Sequence, residues 1–190
     1  LKTHIESERI QKNVTLLIIE KLRDPETVND IWVMFAPVKK NATDIIVQKA
    51  TELGVSCIIP ILTERTIARR VNLNRMEEIA IEASEQCERI TVPKIAPIQS
   101  LTEIISTWDF NRKIYYGDET IRNSSESFED NNQLLTHPSG AILIGPEGGF
   151  SLKEINFLKL KNFIIPINFG PRILRSDTAV ICGLVFWHLI

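Results

Sequence analysis

The stretch AILIGPEGGFS, residues 141–151, joins a short apolar run to a turn with three glycines and then to a serine. The run Ala141–Ile144 is apolar at every position, which is typical of a strand buried on both faces. Ser151 followed by Glu154 forms the capping-box pattern that starts a helix. The stretch therefore predicts a strand, a glycine-rich loop and a helix in succession, the repeating unit of an α/β sheet.

The same alternation extends along the chain on both sides of this stretch. Further strands are predicted at Ile31–Ala36, Val55–Leu62, Lys113–Tyr116 and Phe163–Ile167. Amphipathic helices are predicted from about Ala42 to Leu53 and from about Arg75 to Arg89, the second with a start pattern at Asn74 and Glu77. A start pattern at Ser100 with Glu103 predicts another helix, and a final helix is predicted over Thr178–Ile190. Alternating strands and helices predict an α/β fold with a mostly parallel sheet flanked by helices.

The composition of the chain argues against membrane, secreted and metal-binding proteins. The chain has 190 residues, 44% of them hydrophobic, and a formal net charge of −2. It contains neither an apolar run of membrane-spanning length nor a signal-peptide pattern, so we expect a soluble, cytoplasmic protein. Its three cysteines and three histidines are widely spaced and predict no metal site. The polar, weakly patterned opening, residues 1–12, suggests that a preceding domain is missing.

Charge is unevenly distributed along the sequence. Between Val38 and Arg75, seven Lys and Arg residues stand against three Asp and Glu residues. From Asp118 to Gln133, five acidic residues stand against Arg122 alone. Each stretch could be an ordinary solvated face, but the first also suits contact with phosphates. The polar, aperiodic segment Asp118–Ser139 is predicted to be a surface loop or a frayed short helix.

The glycine turn at Gly145–Gly149 is the strongest candidate for a ligand-binding loop. In open α/β sheets, ligands bind beyond the carboxyl ends of the strands, where glycines let backbone amides approach closely. The turn lacks the GK[ST] of a P-loop and the GxGxxG of a dinucleotide site, so it does not predict phosphate binding. A tight structural turn is the alternative.

A second candidate loop is FGPRILRSDTA, residues 169–179. Ser176 can cap the final helix and Asp177 suits its first turn, which explains both residues without catalysis. Arg172 and Arg175 remain to be explained. They flank the apolar pair Ile173 and Leu174, an arrangement suited to burying a flat ring while holding anionic oxygens.

Together these segments resemble the GPEGG and LGxRILRTETA signatures of the ribosomal RNA small-subunit methyltransferase E family, within the knotted (SPOUT) methyltransferases. The similarity extends over roughly Val33 to Trp187. It includes, in the same order, the residues Gln48–Gly54, Pro60, Thr63–Arg65, Ala83, Gln86, Arg89 and Pro93. Three positions depart from the family pattern: Ser176-Asp177 stands where the family usually has Thr-Glu, and Phe169 stands where it has Leu. The shorter carboxylate puts a direct catalytic role for Asp177 in doubt.

The resemblance implies a sheet with a C-terminal trefoil knot and the cofactor S-adenosyl-L-methionine. It implies a homodimer that methylates N3 of one uridine in the decoding region of 16S ribosomal RNA of the 30S subunit. Residues 1–12 would then be the remnant of an N-terminal PUA-like RNA-binding barrel, and residues 13–190 the methyltransferase domain. The final helix, with Val180, Leu184, Trp187 and Leu189, is expected to contribute to the dimer interface or, alternatively, to the core.

Candidate site residues follow from these motifs. Arg175, Arg172, Glu147 and Asp177 are the candidate catalytic residues, with Glu147 as the first candidate base. Arg65, Arg69 and Arg70 are predicted to contact RNA. Cofactor contacts are predicted for Tyr116, Gly117, Leu143, Ile144, Gly145, Pro146, Glu147, Gly148, Gly149, Phe169, Gly170, Arg172, Ile173 and Leu174, and a valine at Gly148 is expected to block binding.

Two other functions remain open at this point. The chain could be an RNA- or nucleotide-binding module that keeps the fold but has lost turnover. It could also methylate another base or a ribose 2′-hydroxyl, because knotted relatives do both.

Overall fold

The computed structural model describes residues 2–4, 17–22, 24, 30–121 and 139–188. Near the start of the chain, β1 (Lys2–His4) and β2 (Leu17–Glu20) pair antiparallel in a two-stranded ribbon. The ribbon includes residues from both sides of the predicted boundary between residues 12 and 13. The division into a barrel remnant and a methyltransferase domain stays a prediction.

The main body is one sheet with helices on both faces. Its elements are, in chain order, β3 (Asp30–Phe35), α1 (Lys40–Glu52), β4 (Cys57–Leu62), α2 (Leu73–Gln86), β5 (Lys94–Ile95), β6 (Gln99–Ser100), α3 (Leu101–Ser106), β7 (Lys113–Gly117), β8 (Ser139–Ile144), α4 (Leu152–Lys159), β9 (Ile164–Ile167) and α5 (Ser176–His188). A short 3₁₀ turn, Glu119–Ile121, follows β7.

Every strand pair in this sheet is parallel among the residues described, and the order is β5-β4-β3-β8-β7-β9, with β6 also on β4. The predicted α/β fold with a parallel sheet is therefore confirmed. Strand β8 lies in the middle, with Trp32 of β3 opposite Ala141 and Tyr115 of β7 opposite Ile142. The C-terminal knot stays a prediction.

Side chains alternate between the two faces of the sheet and form two separate cores. On one face, Val33, Ile58 and Ile142 pack with residues of α1, α2 and α5. On the other face, Met34 and Leu143 pack with residues of α3 and α4. Because both faces are covered, the central strands are apolar at consecutive positions, which is the pattern that the sequence shows.

Arg112 joins three segments at the amino-terminal edge of the sheet. Its Nη1 donates to the backbone oxygens of Asp30, at 2.8 Å, and of Gly140, at 3.3 Å, and its guanidinium lies 4.0 Å from the ring centroid of Trp32. It also pairs with the Asp30 carboxylate. Burial raises the pKa of Asp30, but hydrogen bonds from Arg112 and Ser56 and the charge of Arg112 outweigh burial and lower it.

Several predicted boundaries differ from the structure. Helix α2 is capped by Asn72, whose side chain accepts a bond from the Arg75 amide at 3.1 Å, and not by Asn74. Ser176 does not cap α5 but is its first residue, and its hydroxyl donates to the Gly145 oxygen. At the two ends of the predicted loop Asp118–Ser139, Asp118 is buried and Ser139 is the first residue of β8. Residues 122–138 lie outside the described residues.

The final helix packs into the core of its own chain. Val180 and Leu184 are fully buried and Trp187 is 8% exposed, while Leu189 lies outside the described residues. Side chains already buried within one chain cannot also face a partner. The three described residues therefore match the alternative prediction, a core helix.

Candidate functional site

Loops from three neighbouring strands enclose a cavity at the carboxyl-terminal edge of the sheet. These loops follow β7, β8 and β9, and the cavity with its open mouth has a volume of about 730 Å³. This is the edge at which parallel α/β sheets bind ligands. The structure therefore brings together the two loops predicted from sequence and adds the loop after Gly117, a residue predicted to contact the cofactor.

The loop after β8 is a tight turn between Gly145 and Phe150. The Gly149 amide donates to the Pro146 oxygen at 2.8 Å, and Gly149 has φ +66°, a conformation that favours glycine. Phe150 is buried against Tyr116, with the two ring centroids 6.1 Å apart. Ser151 then caps α4 in the predicted capping box with Glu154.

Hydrogen bonds connect the loop after β9 with the other two loops. The Asn168 side chain accepts a bond from the Gly170 amide at 2.9 Å and donates to the Ile121 oxygen at 3.2 Å. The Ser176 hydroxyl donates to the Gly145 oxygen at 3.1 Å. The three walls are thereby held against one another by polar contacts before any ligand is bound.

The cavity combines apolar walls with a few charged groups. Ile144, Ile167, Phe169 and Leu174 supply apolar surface, while Asp118, Glu119, Glu147 and Arg172 supply charge. Asp118 is buried and engaged, because it accepts bonds from the Tyr116 hydroxyl, at 2.9 Å, and from Thr120. Burial, together with this bond to Asp118, raises the pKa of Tyr116, which keeps its hydroxyl a donor. Such a lining suits a ligand with a flat apolar part and polar substituents.

Most of the residues predicted to contact a cofactor line the cavity, although their role stays a prediction. Three do not: Tyr116 and Leu143 are buried in their strands, and Gly148 lies on the outer side of its loop. A Cβ on Gly148 would make only ordinary contact, 3.6 Å from Arg65 Cδ, so the structure gives no steric reason for valine there to block binding. The predicted residues that do line the cavity are Gly117, Ile144, Gly145, Pro146, Glu147, Gly149, Phe169, Gly170, Arg172, Ile173 and Leu174.

The four candidate catalytic residues occupy different positions. Glu147 and Arg172 are exposed and line the cavity. Arg175 and Asp177 are not among the lining residues; the Arg175 side chain is 79% exposed and its Nε lies 3.8 Å from Asp177 Oδ1. Asp177 also accepts a bond from the Thr178 amide at 2.9 Å, as its place in the first helical turn predicts.

The three arginines predicted to bind RNA lie between β4 and α2, and all are exposed. Arg65 reaches the loop after β8, where its Nη1 donates to the Gly148 oxygen at 2.7 Å. No hydrogen bond or ion pair is found for Arg69 or Arg70 within the described part of the chain. We call residues 65–70, which carry these three arginines, the cationic segment. Through Arg65 it borders the wall of the cavity.

Sequence reasoning missed several residues of the site. Asp118, Glu119, Asn168 and Ser176 all line the cavity. Asp118 and Asn168 directly follow the ends of β7 and β9, and that position was the available signal. The acidic stretch that begins at Asp118 therefore starts inside the cavity.

Metal-binding clusters and membrane-spanning helices are two other features that would bear on function. Within the described ranges, no three His, Cys, Asp or Glu side chains lie close enough together to hold a metal ion. In the same part of the chain, no helix is long and apolar enough to cross a membrane.

The chain is similar to known proteins over most of its length. Residues 25–187 match the model of the RNA methyltransferase domain family. A Rickettsia conorii protein named ribosomal RNA small subunit methyltransferase E is 29% identical over 180 residues, which are 95% of this chain and 72% of that protein. A Mesomycoplasma hyopneumoniae protein of the same name is 31% identical over 173 residues, 86% of this chain and 72% of that protein.

A solved structure is similar as well. It is a Legionella pneumophila protein in complex with the bound cofactor SAM, 28% identical to this chain, with a TM-score of 0.84. The match covers 98% of this chain and 77% of that one.

Proposed function

Because this chain belongs to the ribosomal RNA small subunit methyltransferase E family of RNA methyltransferases, we propose that it methylates small-subunit ribosomal RNA with S-adenosylmethionine. The acceptor we propose is N3 of one uridine in the decoding region of 16S ribosomal RNA, in the 30S subunit. Such a substrate implies a cytoplasmic enzyme.

The cavity at the ends of β7, β8 and β9 carries this proposal. Its residues fit the cofactor, because the apolar walls Ile144, Ile167 and Leu174 suit the adenine ring. Gly149 and Gly170, with φ of +66° and +97°, give the loops backbone conformations that side chains disfavour. Polar backbone groups of both loops would hold the ribose and the methionine part.

When bound, the cofactor supplies an electrophilic methyl group, and the chain must position the acceptor and remove its proton. Uracil N3 carries a hydrogen and is a poor nucleophile until that hydrogen is lost. Glu147 is the proposed base, since it lines the cavity and is exposed at its mouth. Asp177 is the second candidate, although its carboxylate caps the Thr178 amide.

Arg172 is the proposed group that stabilises negative charge on the uracil oxygens. It lines the cavity, and a planar guanidinium can donate two parallel hydrogen bonds to oxygens that gain negative charge. Arg175 lies between the lining residues Leu174 and Ser176, but its own side chain faces solvent, which suits contact with a flanking phosphate.

Partner contacts also belong to the proposal. Arg69 and Arg70 would bind RNA phosphates, assisted by the barrel of which residues 1–12 are the proposed remnant. We further propose a homodimer. Exposed side chains at the end of α5, such as Val185 and His188, are available to its interface, whereas Val180 and Leu184 are not.

Calorimetry and nucleoside mass spectrometry test the proposal together. We expect S-adenosylmethionine and S-adenosylhomocysteine each to bind the purified chain at the same site, with one molecule per chain. With 30S subunits from cells that lack the enzyme, we expect 3-methyluridine to form. Methylation of another base or of a 2′-hydroxyl would overturn the proposed acceptor. Cofactor binding without any methylated nucleoside would instead indicate a binding module, and an absence of cofactor binding would refute the enzyme class.

A further inference from the structure

The segment Thr63–Thr66, directly after β4, packs behind the loop that follows β8. It forms a tight turn in which the Thr63 amide donates to Thr66 Oγ1 at 2.8 Å, and the two threonine hydroxyls lie 2.8 Å apart. Both threonines are buried, with exposures of 4% and 5%. These buried contacts hold the turn in one conformation. They thereby fix the backbone of Glu64 and Arg65, the two residues between its ends.

Two side chains connect this turn with the cavity loop. Arg65 Nη1 donates to the Gly148 oxygen at 2.7 Å. Glu154 is 6% exposed, and its two carboxylate oxygens accept bonds from the Glu64 and Ser151 amides, each at 2.8 Å. Both bridges contact the loop on the side away from the cavity.

The Arg65 bond fixes one particular peptide group. The Gly148 oxygen and the Gly149 N–H belong to the same planar peptide unit and point in opposite directions. Arg65 holds the oxygen, and the Pro146 oxygen holds the N–H at 2.8 Å. The peptide is thereby held at both ends where Gly149 adopts φ +66°. Without Arg65, this peptide group is held at one end only.

Glu154 has a second role beyond its helix cap. Its carboxylate completes the capping box on Ser151, but one oxygen also binds the amide of Glu64, 90 residues earlier in the chain. A buried carboxylate that accepts only backbone amides ties those two segments together, because leaving either donor unpaired is costly. The end of the cavity loop is thus fixed to the Thr63–Thr66 turn.

We infer that the cationic segment divides into two parts with separate tasks: Arg65, with Glu154, positions the cavity loop, while Arg69 and Arg70 contact RNA phosphate. This rests on the proposed function. Arg65 already donates to the Gly148 oxygen, so an RNA phosphate there would have to share the guanidinium with the cavity loop. Arg69 and Arg70 are exposed and bind no group in the described part of the chain, so their guanidinium groups can bind phosphate without being shared.

The test compares four variants with the wild-type chain: Arg65→Gln, Arg65→Lys, the double variant Arg69→Gln/Arg70→Gln, and Lys159→Gln. Lys159 is exposed at the end of α4 and controls for the loss of one positive charge. Calorimetry measures affinity for S-adenosylhomocysteine, and anisotropy of a labelled oligouridylate measures RNA affinity. Melting temperatures show whether each variant folds.

We expect Arg65→Gln to weaken cofactor binding about tenfold, because a charged hydrogen bond to the loop is lost, with RNA affinity within about twofold of the Lys159→Gln control. Arg65→Lys should recover part of the loss, since an ammonium also donates to a carbonyl. The Arg69/Arg70 double variant should show the reverse pattern, with weaker RNA binding and unchanged cofactor affinity.

Glu154→Gln provides a second measurement, since the amide keeps one acceptor oxygen and lacks the other. It should also weaken cofactor binding. The inference is overturned if Arg65→Gln weakens RNA binding and leaves cofactor affinity unchanged, or if it weakens both equally. A wild-type chain that binds no cofactor would instead refute the proposed function.

Discussion

Replacing Gly117 with alanine should distort the cavity through Phe169. A Cβ at Gly117 would lie 2.7 Å from Phe169 Cε2 and 3.4 Å from Ile144 Cδ1. Carbon atoms in contact lie about 3.5–4.0 Å apart, so the ring must move by roughly an ångström. A Cβ at Gly183 would also lie close to this ring, 3.3 Å from Phe169 Cζ, so the ring depends on the missing side chain at both positions. The Phe169 ring therefore has room only because residues 117 and 183 are both glycines.

Overpacking of this kind costs about 1–3 kcal/mol of unfolding free energy, and in a chain of this size each kcal/mol lowers the melting temperature by about 2–4 °C. Cofactor affinity should fall as well, since Phe169 lines the cavity. Calorimetry with S-adenosylhomocysteine and thermal unfolding measure both effects. Gly148→Ala is the matched control, because its Cβ would meet only Arg65 at 3.6 Å.

A double variant tests whether the clash is the cause. Phe169→Leu removes the ring and leaves a side chain that clears the new methyl group, so Gly117→Ala/Phe169→Leu should be more stable than the sum of the single effects by about 1 kcal/mol. If Gly117→Ala behaves like Gly148→Ala, the reasoning is refuted. Additive single effects would mean that Gly117 acts through its backbone and not through Phe169.

Three further predictions concern the candidate catalytic groups and acid stability. Glu147→Gln should lower methyl transfer to 30S subunits by about 10²-fold with unchanged cofactor affinity, whereas Asp177→Asn should do so less; the opposite ranking in single-turnover assays would make Asp177 the base. Arg172→Ala should lower turnover more than Arg175→Ala, because Arg172 lines the cavity and Arg175 does not; equal losses would contradict the separate roles. Since the folded state lowers the pKa of Asp30, its stabilising effect is present above the ordinary Asp pKa and is lost as pH falls through the lowered value. Asp30→Asn should therefore cost about 1 kcal/mol at pH 7 and flatten the loss of stability as the pH falls below the ordinary Asp pKa of about 4 in urea titrations, and an unchanged acid slope would exclude this role.

Local patterns in the sequence predicted those features that local interactions determine. The capping boxes at Ser100 and Ser151 form as predicted, because each depends on residues three positions apart. The ligand loop at Gly145–Gly149 lies at the end of β8, since an apolar run followed by glycines specifies a strand and a turn. The start of α2 was misplaced by two residues because Asn72 and Asn74 are both suitable caps.

Features that join distant segments could not be predicted in the same way. Nothing in the Ser151–Glu154 pattern indicates that Glu154 also binds the amide of Glu64. Likewise, Ser176 has the residue type of a cap, but its hydroxyl donates to Gly145, 31 residues earlier. Asp118 resembled the start of a solvated acidic loop, and its burial depends on Tyr116 and the Thr120 amide. Arg65 was predicted to contact RNA from the family resemblance and from its charge, and neither indicates which neighbour it reaches.

The central position of β8 has a consequence for the order in which the chain folds. Its partner β3 precedes it by roughly a hundred residues, and Asp30 pairs with Ser139 at the beginning of their ladder. A ribosome that has released only the first half of the chain has therefore released β3 and β4 but no strand to cover the inner edge of β3. Unpaired edges of this kind promote association between nascent chains, and such long-range pairing folds slowly. We expect β3 and β8 to pair only after residue 144 has left the exit tunnel, so that shorter nascent chains expose this edge of β3.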